Sequence, residues 1–232
     1  MIPTIEVLRL GRTAYPDALV LQRTVHEERK AGARGDTLIL TEHEPVLTLG
    51  RGADAGNILA DDARPAALGI DVVSVERGGD VTYHGPGQLV AYPILDLTAY
   101  GRDIRRYVRA LEESAIGLLA AYGVAGERRP GTPGVWVGDA KIASVGVYVS
   151  RWVTLHGIAI NVDPDLSHFD LIHPCGLIGQ RMTSLAVELG RAVAFSEVET
   201  RYVAIFCEAM AGLATLPVSR HPRPCEGRGT GG

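Results

Sequence analysis

A single α+β domain is the architecture this sequence predicts, and three observations predict it. Short strand-like runs crowd the middle of the chain, at residues 71–76, 88–95, 135–137, 141–149 and 153–162. Helical periodicity is confined to a few segments, near residues 16–31, 103–122 and 197–213. The 232 residues, 46% hydrophobic and 22% charged, show no repeat and no linker, and that length suits one domain with a substantial core.

Each element has its own local reason. Residues 6–10 read as a strand, and residues 16–31 as a helix opened by Pro16 and ended by Gly32. Residues 37–41 and 46–49 are short strands around the turn His43-Glu44-Pro45. The strands at 71–76 and 88–95 are joined by a glycine-rich loop, residues 77–88. Asp103 is the expected N-cap of the best-marked helix, whose apolar stripe runs from Ile104 and Tyr107 through Val108, Leu111, Ala115, Leu118 and Leu119 to Tyr122, with Gly123 ending it. Gly138-Asp139 marks the turn between the first two of the three later strands. Ser196 with Glu199 reads as a capping box opening the last helix. The catalytic unit is expected over residues 1–216. Residues 217–232, nearly all Pro, Gly, Arg and polar, read as a flexible tail.

Composition excludes several functions. A net charge of −4 argues against general nucleic-acid binding, because the phosphate backbone requires a basic surface. The most apolar helical run, residues 115–124, falls short of the ~20 residues that span a bilayer, and no secretion leader is evident near Met1. Three cysteines without framework spacing argue against a disulfide scaffold and fit a reducing compartment, so a cytoplasmic protein is expected.

Candidate chemistry begins with lysine. Among 23 Lys and Arg residues only Lys30 and Lys141 are lysines, and Lys141 lies inside a mostly apolar strand-like run. An ammonium can release its proton where a guanidinium cannot, so Lys141 reads as a residue chosen for proton chemistry. The cysteines rank by setting. Cys207 projects opposite the stripe of the last helix and Cys225 sits in the tail, whereas Cys175 stands between Pro174 and Gly176, in a turn able to hold a sulfur at a surface near backbone N–H groups. A nearby ammonium favours the thiolate, which would make Lys141 and Cys175 a nucleophile and its partner. His173 and His156 are competing bases. The glycine-rich loop lets backbone approach a ligand closely, and Tyr83 and His84 give it an apolar face with polar tips. It lacks the Gly-Lys-Ser/Thr ending of a phosphate-binding Walker loop. His168 and His173, five residues apart with no CxxC nearby, do not make a metal pair, and no metal site is expected.

Four segments together resemble the lipoyl(octanoyl) transferases: residues 77–88, Lys141-Ile142-Ala143-Ser144-Val145-Gly146, His156-Gly157-Ile158-Ala159 with Asn161-Val162, and Pro174-Cys175-Gly176. The resemblance implies a fold like that of biotin and lipoate protein ligases, a mixed and largely antiparallel sheet flanked by helices. It also implies an acyl-enzyme on Cys175, with Lys141 lowering the thiol's pKa. The acyl-binding residues it implies are Arg77, Gly78, Gly79, Asp80, Val81, Thr82, Tyr83 and His84, then Ser144, Val145 and Gly146, then Gly157, Ile158 and Ala159. The octanoyl donor would be acyl carrier protein, which carries the chain on its phosphopantetheine arm, and no further cofactor is expected. The acceptors would be lysines of the lipoyl domains of 2-oxoacid dehydrogenases and of the glycine cleavage H protein. A monomer is expected. Arg102, Arg105, Arg106 and Arg109, opposite the stripe of the central helix, would offer an acidic carrier a cationic face. Backbone N–H groups of Gly176 or of the Gly78-Gly79 turn are the candidate oxyanion donors. Two rival readings stay open: an ATP-dependent lipoate or biotin ligase, and an inactive module that binds an acylated partner.

Overall fold

The structure is a computed structural model that describes residues 3–54, 57, 65, 67–172 and 180–215. Seven strands form the main sheet: β1 (Ile5–Thr13), β2 (Asp36–His43), β6 (Gln88–Ile94), β7 (Glu127–Arg129), β8 (Thr132–Val137), β9 (Ala140–Ser150) and β10 (Val153–Asn161). Their order is β1-β2-β6-β10-β9-β8-β7, with β1 and β2 parallel and every other neighbour antiparallel. A second, three-stranded sheet has β3 (Val46–Leu49) between β4 (Asp71–Ser74) and β5 (Val81–His84). The α+β class and the mixed, mostly antiparallel sheet are therefore as the sequence indicated.

The central strands read as unbroken apolar runs because both faces of the main sheet are covered. Alternate residues part company. Leu38, Leu40, Leu89, Ala91 and Ile160 pack with α2 (Ile104–Ala120) and α4 (Phe195–Thr215), while Ile39, Val90, Tyr92 and Ala159 face the side covered by α1 (Tyr15–Lys30). Asp103 caps α2 as expected, its carboxylate accepting the Arg106 N–H at 3.1 Å. Within the buried contact between α2 and α4, Ser114 and Tyr202 share a hydrogen bond of 3.1 Å. No described helix is long and apolar enough to cross a membrane.

The local expectations need four corrections. The loop at 77–88 contains a strand, β5, which pairs antiparallel with β3. A short strand, β7, precedes β8. Ile104 leaves the α2 stripe and is 42% exposed. Ser196 does not cap α4, which begins at Phe195 with the Ala194 carbonyl accepting from Glu197 and Val198, because the Glu199 carboxylate turns instead to Arg9 on β1, at 3.3 Å. A true side-chain cap stands earlier, where Ser184 accepts the Val187 N–H and opens α3 (Leu185–Leu189). The catalytic-unit boundary and the tail at residues 217–232 lie outside the described residues.

Candidate active site

Helix α1 starts with Tyr15, held there by Pro16 in the first turn, and Tyr15 is buried against Leu19, Val46 and Val75. Its ring stacks on His84 and tilts against His43, with centroids 6.0 and 5.0 Å apart. This corner belongs to a cavity between the α1 face of the main sheet and the small sheet. The cavity is a narrow slot of about 40 Å³. Lys141 and Gly146, both on its wall, are five residues apart on β9 and thus roughly 13 Å apart once one bulged residue is discounted.

The structure gathers the expected residues in this one slot. Arg77, Gly79, Asp80, Val81, Thr82 and His84 come from the loop and β5, Ser144, Val145 and Gly146 from β9, and Gly157, Ile158 and Ala159 from β10, with Lys141 beside them. Gly78 and Tyr83 stand off it. The Gly78 N–H donates to the Val147 carbonyl at 2.9 Å and so is engaged elsewhere than at a candidate oxyanion. The Tyr83 hydroxyl bonds His168 Nδ1 at 2.8 Å, and its ring meets Phe169 edge-on. Tyr15, Val90 and Tyr92 line the slot without having been foreseen, and His156, a competing base that also opens the segment His156-Gly157-Ile158-Ala159, lines it too. The alternation of Val90 and Tyr92 on β6 was the available signal. Cys175 and His173 lie outside the described residues, as does Gly176.

Arg77 anchors the loop. Its Nη2 donates to the Thr48 carbonyl at 2.6 Å and the Thr48 hydroxyl at 2.8 Å, and its Nη1 donates to the Gly78 carbonyl at 3.2 Å. Its stem lies against Gly146, where a Cβ would come within 3.0 Å of Arg77 Cδ and 3.2 Å of the Gly78 oxygen, so only glycine lets β9 and the loop approach this closely.

The imidazoles and phenols in and beside the slot are held uncharged. Burial pushes the His84 imidazole down to about 3 and His43 down to about 4, so both are neutral at pH 7. Burial raises the Tyr15 phenol to about 12 and raises Tyr92 as well. Glu76, outside the slot, keeps its carboxyl well below the usual carboxylate range, first through the nearby His156 imidazole and then through Arg23. The His156 contact, Nε2 to Oε2 at 3.6 Å, is electrostatic in length, whereas Arg23 makes a two-pronged pair at 2.9 and 3.0 Å.

Lys141 reaches the slot through a break in strand regularity. Val135 pairs with Ala143 but Trp136 pairs with Lys141, which leaves Ile142 as an extra residue on β9. Ala143, Val145 and Val147 pack toward α2 and α4. Unbroken alternation would send Lys141 to that side; the bulge puts Ile142 there and turns Lys141 to the face of Ser144 and Gly146. The Lys141 backbone is fixed on its other edge by Arg181 and Thr183, through hydrogen bonds of 2.8 and 3.0 Å. A narrow, largely apolar-walled slot with an amine on its wall suits an unbranched acyl chain whose reacting carbonyl lies near the amine.

Comparison with known proteins places this geometry. The lipoyl protein ligase A/B catalytic domain, as a family, matches residues 14–207. An octanoyltransferase of Chloroflexus aurantiacus is 54% identical over 211 residues, which cover 90% of this chain and 95% of that protein. One from Myxococcus xanthus is 51% identical over 210 residues, 88% of this chain and 59% of its own length. Among solved structures, a bipartite lipoate protein ligase from Thermoplasma acidophilum superposes with a TM-score of 0.70 at 18% identity, over 90% of this chain and 89% of that one. A biotin protein ligase from Aquifex aeolicus gives 0.51 at 15% identity, over 88% and 70%. These likenesses show a shared ligase-type fold.

Proposed function

The chain belongs to the lipoyl protein ligase A/B catalytic family, and from that premise we propose that it is an acyltransferase that places octanoyl groups on proteins during lipoylation. The observation that carries this reading is the narrow slot: its walls are largely the segments that resemble the octanoyltransferases, and Lys141 stands on one of them. An octanoyl chain lying in the slot gains about 0.8 kcal/mol for each buried methylene.

The finer mechanism follows from the residue types. Cys175, as the thiolate whose proton Lys141 holds, attacks the thioester carbonyl of octanoyl acyl carrier protein; a new C–S bond forms, the old one breaks, and the carrier's phosphopantetheine thiolate leaves and takes that proton from Lys141, which is left as the amine. Thioester exchange is nearly isoenergetic. In the second step a lipoyl-domain lysine attacks the acyl-enzyme, an amide bond forms, the Cys175 thiolate leaves, and Lys141 in its amine form accepts the proton of the incoming nitrogen. Thioester-to-amide transfer runs downhill, so neither step requires ATP. A metal plays no part in either step.

The cationic face of α2 supports an acidic donor. Arg102, Arg105 and Arg109 are exposed there, while Arg106 is half-buried and donates to the Leu213 carbonyl at 3.4 Å. The test is transfer from octanoyl carrier protein to a lipoyl domain without ATP. Amide formation supports the proposal; a strict ATP requirement would make the protein a ligase, and binding without transfer an acyl-binding module.

A further inference from the structure

Lys141 is among the largest fully buried side chains of the described residues, which raises the question of what holds a flexible four-carbon stem in one place. Two residues of β8 surround it. The Trp136 ring lies beneath the ammonium, with Nζ 4.9 Å from the ring centroid, and is itself 1% exposed. Gly134 closes the other side. A Cβ at Gly134 would come within 2.6 Å of Lys141 Cε, 3.3 Å of its Nζ and 2.5 Å of the Ala143 carbonyl oxygen.

Gly134 also has φ +140, a region that side-chain-bearing residues avoid. That conformation is pinned. The Gly134 N–H donates to Glu112 Oε1 at 3.0 Å, the second oxygen of this buried carboxylate accepts from Arg128 Nε at 3.1 Å, and α2 is thereby tied to the strand beside the lysine. The Trp136 indole N–H has no acceptor among the described residues, so what the site uses is the ring face.

We infer that Gly134 and Trp136, together with the bulge at Ile142, form a socket that positions the Lys141 ammonium on the wall of the slot. The ring's negative face attracts the ammonium, and the missing Cβ leaves the stem one path. Gly134 and Trp136 are positioning residues that act through Lys141. The inference deepens the proposed function and rests on its view of Lys141 as the proton-handling residue.

The chain's two lysines make the socket directly measurable. In a Lys30→Arg background, Lys141 carries the one lysine amine, and its modification by methyl acetimidate can be followed by peptide mass spectrometry across a pH series. Trp136→Leu keeps apolar bulk but removes the aromatic face, which both frees the stem and weakens the hold on the protonated form. Both effects speed labelling. We expect it to be about tenfold faster than in the parent, and Trp136→Phe to stay within about threefold of the parent because a benzene ring keeps the attractive face. Gly134→Ala should act like Trp136→Leu if it folds. Unchanged labelling in Trp136→Leu, or equal acceleration in Trp136→Phe, overturns the socket. Full transfer by Lys141→Ala would instead overturn the role given to the lysine, whatever the labelling shows.

Discussion

An amine and a guanidinium carry the same charge, but only the amine can give its proton up near neutrality, and the proposed function puts that difference to use at Lys141. Lys141→Arg is therefore expected to lower transfer by at least about a hundredfold, the usual scale of a lost general base, in steady-state assays with a carrier-protein donor. Substantial residual activity would reduce the lysine to an electrostatic partner of the thiol. Lys141 was legible in the sequence because lysine is so scarce in this chain. Its orientation was not. A slip of one residue between β8 and β9 decides which face the side chain meets, and no periodicity in residues 141–149 announces that slip. Tyr15 and Tyr92 escaped for a related reason: each sits in an ordinary helix start or apolar strand, and only the packing of distant elements turns it toward the slot.

At the scale of elements, local signals held where no tertiary partner competed with them. Asp103 caps α2 as its residue type demands, and Asp103→Ala should cost about 1 kcal/mol of stability, read as a lower urea midpoint with an unchanged slope. A loss near zero would mean that α2 is held by its packing on α4 alone. The capping-box reading of Ser196 and Glu199 failed because Arg9 on β1, far off in sequence, claims the carboxylate. Strand β5 was hidden for the opposite reason. Its four residues lie inside a glycine-dense segment that reads as loop, and they become a strand because β3 offers them a partner along its whole length.

At the scale of the whole molecule, the buried histidines link stability to pH. Above about pH 6.5 His43 and His84 are neutral in the folded and unfolded chain alike and add no pH dependence. Below that, the unfolded chain binds protons that the folded protein excludes until about pH 4 for His43 and about pH 3 for His84, so stability falls on acidification, by up to about 1.4 kcal/mol per pH unit for each. Glu76, with its carboxyl held low, adds its own loss as the pH falls through about 4.5, leaving the window between 6.5 and 4.5 to the histidines. Urea midpoints should drop steadily from pH 7 to pH 5, and a flat profile would mean that the imidazoles protonate inside the fold. The α+β class and the mixed sheet were legible from strand-rich, helix-poor patterning, while the joining of β3, β4 and β5 into a second sheet, whose β5 lines the slot, was not.

The central claim is that Cys175 carries the acyl group between donor and acceptor. Intact-protein mass spectrometry after exposure to octanoyl carrier protein, with no ATP and no acceptor, tests it most directly. The account predicts a single octanoyl adduct that maps to Cys175, disappears on adding a lipoyl domain, and never forms in Cys175→Ala. Transfer at full rate by Cys175→Ala, with no adduct at any time, would contradict it.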